Sequence, residues 1–520
     1  MLRIFQQDQG GRAMWRPSRG ALDTSFDTDG WNATTFPAGS ASANALVVQP
    51  SDQKLVLAGY VAGATEDLAI ARFTANGALD TATFGAGTGR VSTDIGGADQ
   101  RAVDVAVQPD GKILVLGWTT AATRDIVVAR YSSTGVLDPT FGTGGIATFD
   151  VAGYDKPESI LVQPSGRIVV SGTVDRLVDS LAMVMGITSS GALDPTFGTA
   201  GVTTVNWLVA DSNEEVRGMS TQSSGKIIVF GEWSNSSMTV ARFTADGAVD
   251  TSFGTGGKRD MVFPNPSANP FDGAVAPDDS LYIVGGNDVG GGRSIAVAHV
   301  LVDGTMDNGF SGDGMVYTPI GVSTDIDELY GAIVQPDGNV VVAGRLASGG
   351  ANDMVFARYR PDGTLDPDFG TAGIATFAIG TSTWANDLVL HTDGTLAVGG
   401  VRDGDFFTAR LSTVTVPDYV DSTTDWDTVA PNDGFFGACM SGVSGGAAAT
   451  WVVDAACTTT DDPWWNAIPT TPTKIASTAA FEPDPVDATA SLKFAFRAPS
   501  SQPAGQYLAP VSFEVIAPAS

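Results

Sequence analysis

Residues 105–117, VAVQPDGKILVLG, set two apolar runs on either side of a short polar turn containing glycine. That is the pattern of a β-hairpin. It returns as ILVQPSGRIVVSG (160–172), MSTQSSGKIIVFG (219–231) and AIVQPDGNVVVAG (332–344), and in degraded form as GAVAPDDSLYIVG (273–285). A third strand follows each hairpin: DLAIARF (67–73), DIVVARY (125–131), SMTVARF (237–243), DMVFARY (353–359) and DFFTARL (405–411). A short fourth strand follows that, clearest as GIATF at 145–149 and 373–377. No helical periodicity interrupts the series.

The turn element G-x-(L/V/M)-D-x-x-F punctuates these strands seven times, once with an extra residue. Its aspartates are Asp23, Asp80, Asp138, Asp194, Asp250, Asp307 and Asp366, at steps of 57, 58, 56, 56, 57 and 59 residues. So narrow a spread marks one structural unit copied. Four short strands per unit and seven units predict an all-β fold, a seven-bladed β-propeller. A linear stack of hairpins would leave two exposed sheet edges. The ends of the array favour closure instead. The chain starts with a lone fourth-type strand, WNATTF (31–36), and the last unit ends after its third strand at Leu411. Pairing 31–36 with residues near 406–411 closes the ring.

The period and these phrases resemble the delta-60 repeat, a bacterial β-propeller family of uncharacterised function. The resemblance covers residues 20–411, and implies a propeller and an exported bacterial protein. It implies no catalytic residues. Unit three departs from the pattern with Gly186 at the arginine position, and unit five with His299.

Each retained arginine lies eight residues before its aspartate: Arg72 and Asp80, Arg130 and Asp138, Arg242 and Asp250, Arg358 and Asp366. A pair repeated in every unit reads as a structural ion pair that pins the turn and its register. The Leu and Phe of the same element read as plugs between blades. The repeated glycines supply positive φ or close backbone approach. DTDG (27–30) and SGDG (311–314) lack the ligand set of a calcium loop, so no metal and no cofactor is expected.

In a propeller the turns joining the first and second strands, and the third and fourth, share one face. Here those are the repeated segments. The other face collects irregular ones: DVAGYDKPES (150–159), NWLVADSNEEVR (206–217), FPNPSANPFD (263–272) and PIGVSTDIDELY (319–330). A binding surface is expected on that varied face. It should gather Trp118, Tyr154, Trp207, Trp233, Tyr330 and Trp384, with acids such as Asp155, Glu214, Glu215, Asp325, Asp327 and Glu328. Asp104, Asp272 and Asp387 mark the starts of three inner strands. Aromatic platforms beside carboxylates suit sugar rings, or Arg- and Lys-rich protein loops.

Charge narrows the partners. The 520-residue chain has 58 acidic and 28 basic side chains, a net charge of −30, which disfavours nucleic acid and anionic membranes. The only two histidines, His299 and His391, lie away from the varied face. A histidine-based triad or metal centre is not expected there, and the chain reads as no enzyme. The expected function is an exported or cell-surface binding protein, non-catalytic, with a glycan or protein partner. A secreted carbohydrate-active enzyme or lectin is the first alternative. A structural subunit of a surface appendage, assembling through residues 421–520, is the second.

Residues 1–19 are expected to be poorly anchored, 20–411 to form the propeller, 412–420 a linker and 421–520 a small β-sandwich. Cys439 and Cys457 would staple that sandwich by a disulfide and suit an oxidising, extracellular location. The sequence as given shows no signal peptide. No run of eighteen apolar residues exists to insert in a membrane.

Overall fold

The computed structural model describes residues 20–412, apart from 121–122, 177–178, 207–213, 233–237, 264–267, 290–291, 320–327 and 349–350. It also describes the strand segments 6–7, 13–14, 435–443, 447–449, 466–468, 476–478 and 490–497. The chain divides into two compact units, Ser18–Val414 and a second made of Met1–Pro17 with Thr415–Ser520.

The first unit is a seven-bladed β-propeller. Blade 1 shows the plan: strands A (Ala41–Val48), B (Leu55–Ala62), C (Glu66–Phe73) and D (Arg90–Thr93) form one antiparallel sheet. Blade 2 repeats it with Gln100–Val107, Ile113–Thr119, Asp125–Tyr131 and Ile146–Phe149. The A strands of blades 3 to 7 are Tyr154–Val162, Glu215–Thr221, Ala268–Val275, Glu328–Val334 and Thr383–Leu390. Among the described residues the only helical element is a single 3₁₀ turn at Gly85–Gly87.

Blade 7 is built from both ends of the array. Its strand C, Asp405–Ser412, pairs with Trp31–Thr34, placing Trp31 opposite Ala409 and Thr34 opposite Phe406. The closing strand expected from WNATTF thus lies where the pattern put it. Ala21–Leu22 extends the join by pairing with Leu411 and Ser412.

The core follows from the apolar runs. Strand B of blade 2 is buried at every position but Trp118. It is covered by a neighbouring blade on each face, which is why its sequence reads as a continuous apolar run. Seven buried clusters each span one junction between consecutive blades, including the junction of blade 7 with blade 1. Each blade therefore buries its faces only by packing on its neighbours.

The phenylalanine of each G-x-L-D-x-x-F element is the plug of a junction. Phe26, Phe84, Phe141, Phe197, Phe253, Phe310 and Phe369 are all fully buried. Each ring rests against the element's glycine in the next blade, as Phe84 does against Gly135. The ring of contacts closes at Gly20: its φ is +79°, and a Cβ there would lie 2.9 Å from Phe369. Only glycine fits both the conformation and the space.

In the second unit, Phe435–Val443 pairs with Asn466–Ile468 and Ala490–Arg497, and Ala447–Ala449 with Ala476–Thr478. Gln6–Gln7 pairs with Ala13–Met14. The packing of these strands as a sandwich and the residue Cys457 lie outside the described residues. So does its pairing with Cys439, and so do residues 413–420.

Candidate functional site

On the repeated face the charged side chains are consumed in holding the ring. Arg72, Arg130, Arg242 and Arg358 donate Nε to Oδ2 of Asp80, Asp138, Asp250 and Asp366 at 3.0, 2.9, 2.8 and 2.7 Å. Each guanidinium also stacks on the motif phenylalanine, 4.5 Å from Phe84 in blade 1 and 4.6 Å from Phe141 in blade 2. It reaches the next blade as well: Arg130 donates to the Ser189 carbonyl at 2.5 Å. Burial pushes the Asp80 carboxyl up, but Thr83, Lys54 and Arg72 outweigh it and hold it at about 2. Blade 7 completes the set across the chain ends, with Arg410 Nε 2.8 Å from Asp23 Oδ2.

The two departures from the repeat are filled differently. In blade 3, where Gly186 replaces arginine, Arg167 enters from the start of strand B and donates Nε to Asp194 at 2.6 Å. In blade 5, His299 Nδ1 lies 2.8 Å from Asp307 Oδ2 and its Nε2 2.8 Å from Ser280 Oγ. Ser280, His299 and Asp307 thus copy the order of a hydrolytic triad. Ser280 is only 3% exposed, its hydroxyl donates to Asp278 at 2.6 Å, and Tyr282 stacks on the imidazole at 4.0 Å. A nucleophile must meet its substrate, and this hydroxyl is sealed into the slot that cations fill elsewhere.

The varied face is built differently. Strand A lines the channel and alternates its side chains. In blade 2, Arg101 and Val103 are partly exposed while Ala102 is buried; in blade 4, Glu215 and Arg217 flank buried Val216. Blade 3 presents Tyr154, Lys156 and Glu158, with Asp155 and Pro157 buried behind them. A β-bulge in every A strand adds one residue at this level. The extra residues are polar in four blades, Asn44, Glu158, Arg217 and Asn386, and apolar in three, Val103, Phe271 and Tyr330. The channel wall therefore has a charged sector at blades 3 and 4 and an aromatic one at blades 5 and 6, where Phe271 and Tyr330 lie 6.0 Å apart.

At the mouth, over blades 1 to 3, aromatic rings and guanidinium groups alternate. Arg101 lies 4.3 Å from the Tyr60 ring and 5.8 Å from Trp118; Arg124 lies 3.9 Å from Trp118 and 5.2 Å from Tyr154. Trp118 and Tyr154 are thereby brought together, 36 residues apart in sequence. Tyr60, Arg101 and Arg124 complete the ladder and were not singled out by sequence reasoning. Their only signal is position, since each sits where a strand meets a loop of this face. Glu158 was missed too. Burial pushes its carboxyl up to about 7, although Arg217, Arg124 and Lys156 pull the other way.

Asp104, Asp272 and Asp387 stand just after the bulges and clasp blade to blade. Asp104 Oδ2 accepts from Ile160 N at 2.7 Å, Asp272 from Ala332 N at 2.7 Å and Asp387 from Leu46 N at 2.8 Å. Burial raises Asp104 to about 6 and Asp272 to about 7, and raises Asp387 with help from the charges of Asp272 and Asp104. These three belong to one deep ring in the channel. Trp384 starts strand A of blade 7, apart from the Trp118–Tyr154 ladder. Trp207, Trp233, Asp325 and Asp327 lie outside the described residues, and so does the side chain of Glu328. Glu214 is buried and accepts from Ala182 N at 3.0 Å.

Two further features lie off the channel. Carboxylates of Asp125, Asp150 and Asp155 come within 4.8 Å of one another. Asp155 is buried and accepts from Val151 N at 2.9 Å, so it serves the loop's own backbone. A recess of about 610 Å³ opens on the flank between blades 2 and 3, lined by Phe149, Leu181, Met185 and Val202 among others. It lies outside the channel and away from the ladder.

Residues 51–82, 108–141, 222–253 and 335–369 match a family model described as "Domain of unknown function (DUF5122) beta-propeller". No curated protein matches the sequence. Similar solved structures include Drosophila Semaphorin 2a (10% identity, 74% of this chain and 75% of that chain, TM-score 0.42). The polysaccharide lyase Uly1 matches at 11% identity over 73% of this chain and 91% of that chain, with a TM-score of 0.40. The periplasmic gluconolactonase PpgL of Pseudomonas aeruginosa matches at 11% identity over 72% and 96%, with a TM-score of 0.38. Such identities speak to architecture alone. They still correct one expectation: the fold is shared with enzymes, so the reading of this chain as no enzyme does not stand. Among the described residues no helix is long and apolar enough to cross a membrane. The matched segments carry strands B and C and the L-D turn in four of seven blades, and the repeating unit of this chain is similar to that of the DUF5122 β-propeller family, consistent with a delta-60-like repeat propeller.

Proposed function

We propose that the propeller binds carbohydrate at the channel mouth, on the face formed by the D–A and B–C loops. One contrast carries the reading. The motif phenylalanines of the opposite face are all fully buried, whereas Tyr154 on this face is 45% exposed. Tyr60, Trp118, Tyr330 and Trp384 are also partly exposed. Exposed ring faces beside fixed hydrogen-bonding groups suit the apolar faces and hydroxyls of sugar rings. Glu158, Arg217 and Asn386 supply such groups in the channel below.

The test is a glycan array probed with the full chain and with Trp118→Ala and Tyr154→Ala variants, with product release followed in parallel. Selective binding that each variant weakens about tenfold or more supports the reading. Binding that both variants leave intact sinks it. Export belongs to the same reading and rests on the family resemblance. Protease accessibility of the protein on intact cells tests it.

A further inference from the structure

We infer that Arg124 recognises a carboxylate on the ligand of this face, which makes that ligand an acidic sugar. The inference rests on the carbohydrate reading and deepens it. Its ground is a charge imbalance within the ladder. The neighbouring cations are neutralised within the protein: Arg101 is paired with Glu66, Lys156 with Asp175 at 2.7 Å, Arg176 with Asp179 at 2.7 Å and Arg217 with Glu215 at 2.5 Å. Arg124 forms no salt bridge among the described residues. Its guanidinium meets the Tyr154 hydroxyl, and its Nε is buried with no partner.

The surroundings prepare Arg124 for an outside anion. The Trp118 ring, 3.9 Å away, and the Tyr154 ring, 5.2 Å away, hold the guanidinium by stacking. A stacked guanidinium keeps its N–H edge free for in-plane bidentate bonds, the geometry a carboxylate matches. Burial already disfavours its charge, so an arriving anion restores what the protein withholds. Glu158 acts on it only through space, and burial keeps that acid largely protonated below about 7. The exposed Tyr154 ring lies beside the fork, where the sugar ring that carries the carboxylate can rest.

The experiment measures binding of oligogalacturonate and its fully methyl-esterified form, and of sialyllactose and lactose, to the full chain. The comparison variants are Arg124→Gln, Arg124→Lys and Arg176→Gln. An acidic member of either pair should bind about tenfold or more tighter than its neutral partner, the worth of a charge-assisted hydrogen-bond pair. Arg124→Gln should abolish that preference and Arg124→Lys should restore only part of it. Arg176→Gln, whose charge is already paired, should leave it unchanged. Unchanged melting temperatures will show that the Arg124 variants fold. Equal binding of acidic and neutral partners, or a preference that survives Arg124→Gln, overturns the inference and leaves the carbohydrate reading standing. Absence of binding by all four probes, with none on the array, defeats the carbohydrate reading and the inference with it.

Discussion

Gly186 shows how one residue can break a repeat and keep its physics. The repeat calls for arginine there, yet a Cβ on Gly186 would lie 2.5 Å from Phe197. The cation arrives instead as Arg167, whose guanidinium lies 5.6 Å from the Phe197 ring and whose Nε reaches Asp194. Aspartate, cation and phenylalanine are all retained, and only the strand that supplies the cation has changed. Restoring the repeat by Gly186→Arg should therefore destabilise the protein. The new side chain meets Phe197, and two cations compete for one slot. The expected loss is roughly 2 kcal/mol or more, read from chemical denaturation; an equal or higher stability would show that the blade can repack.

At the scale of the strand, the bulge decides what the channel holds. The glycine that ends each hairpin motif is its mark. A Cβ on Gly117 would lie 2.3 Å from the Arg101 carbonyl, and one on Gly172 2.3 Å from that of Lys156. The bulge sets Asp104, Asp272 and Asp387 where burial raises their carboxyls. A raised carboxyl favours folding while it is protonated. That contribution is full below the unfolded value near 3.8 and is lost as pH rises through about 6 for Asp104 and about 7 for Asp272. The motif aspartates act in the opposite sense. Asp80 and Asp194, held near 2, contribute stability that is present above 3.8 and lost as pH falls through about 2. The melting temperature should peak near pH 4 and fall by several degrees towards pH 8. Asp272→Asn should shrink that alkaline fall whatever its effect at pH 5. A variant whose fall between pH 5 and 8 matches the parent would remove the channel carboxylates from this account.

For the whole molecule, closure is the feature that joins the ends. Residues before blade 1 supply the outer strand of blade 7, the glycine that receives Phe369, the Asp23 partner of Arg410, and Phe26, which is fully buried at the last junction. Removing residues 1–36 should cost more than about 5 kcal/mol, since Phe26 and Phe36 alone are each worth about 3–5 when lost from a core. It also bares the edge of Asp405–Ser412. Calorimetry should show a lower and broader transition, and size-exclusion chromatography should show self-association. A truncated chain that stays monomeric and melts as before would mean that the ring is held without its closing strand.

The repeat period, the apolar runs and the lone strand at 31–36 determined the blade count, the strand order and the closure. These are properties of units that must bury the same faces against the same neighbours, so each copy carries the whole instruction. The phenylalanine plugs and the arginine–aspartate pairs were legible for the same reason. The ladder of Tyr60, Arg101, Trp118, Arg124 and Tyr154 was not. It is assembled from three blades across a gap of 94 residues, and no copied phrase contains it. Nor could the sequence tell that Arg101 is paired with Glu66 while Arg124 forms no salt bridge among the described residues, or that Glu158 stands in the channel on a bulge. Those facts depend on distances between side chains of different blades. Tertiary structure alone decides them, because charge, burial and stacking act through space.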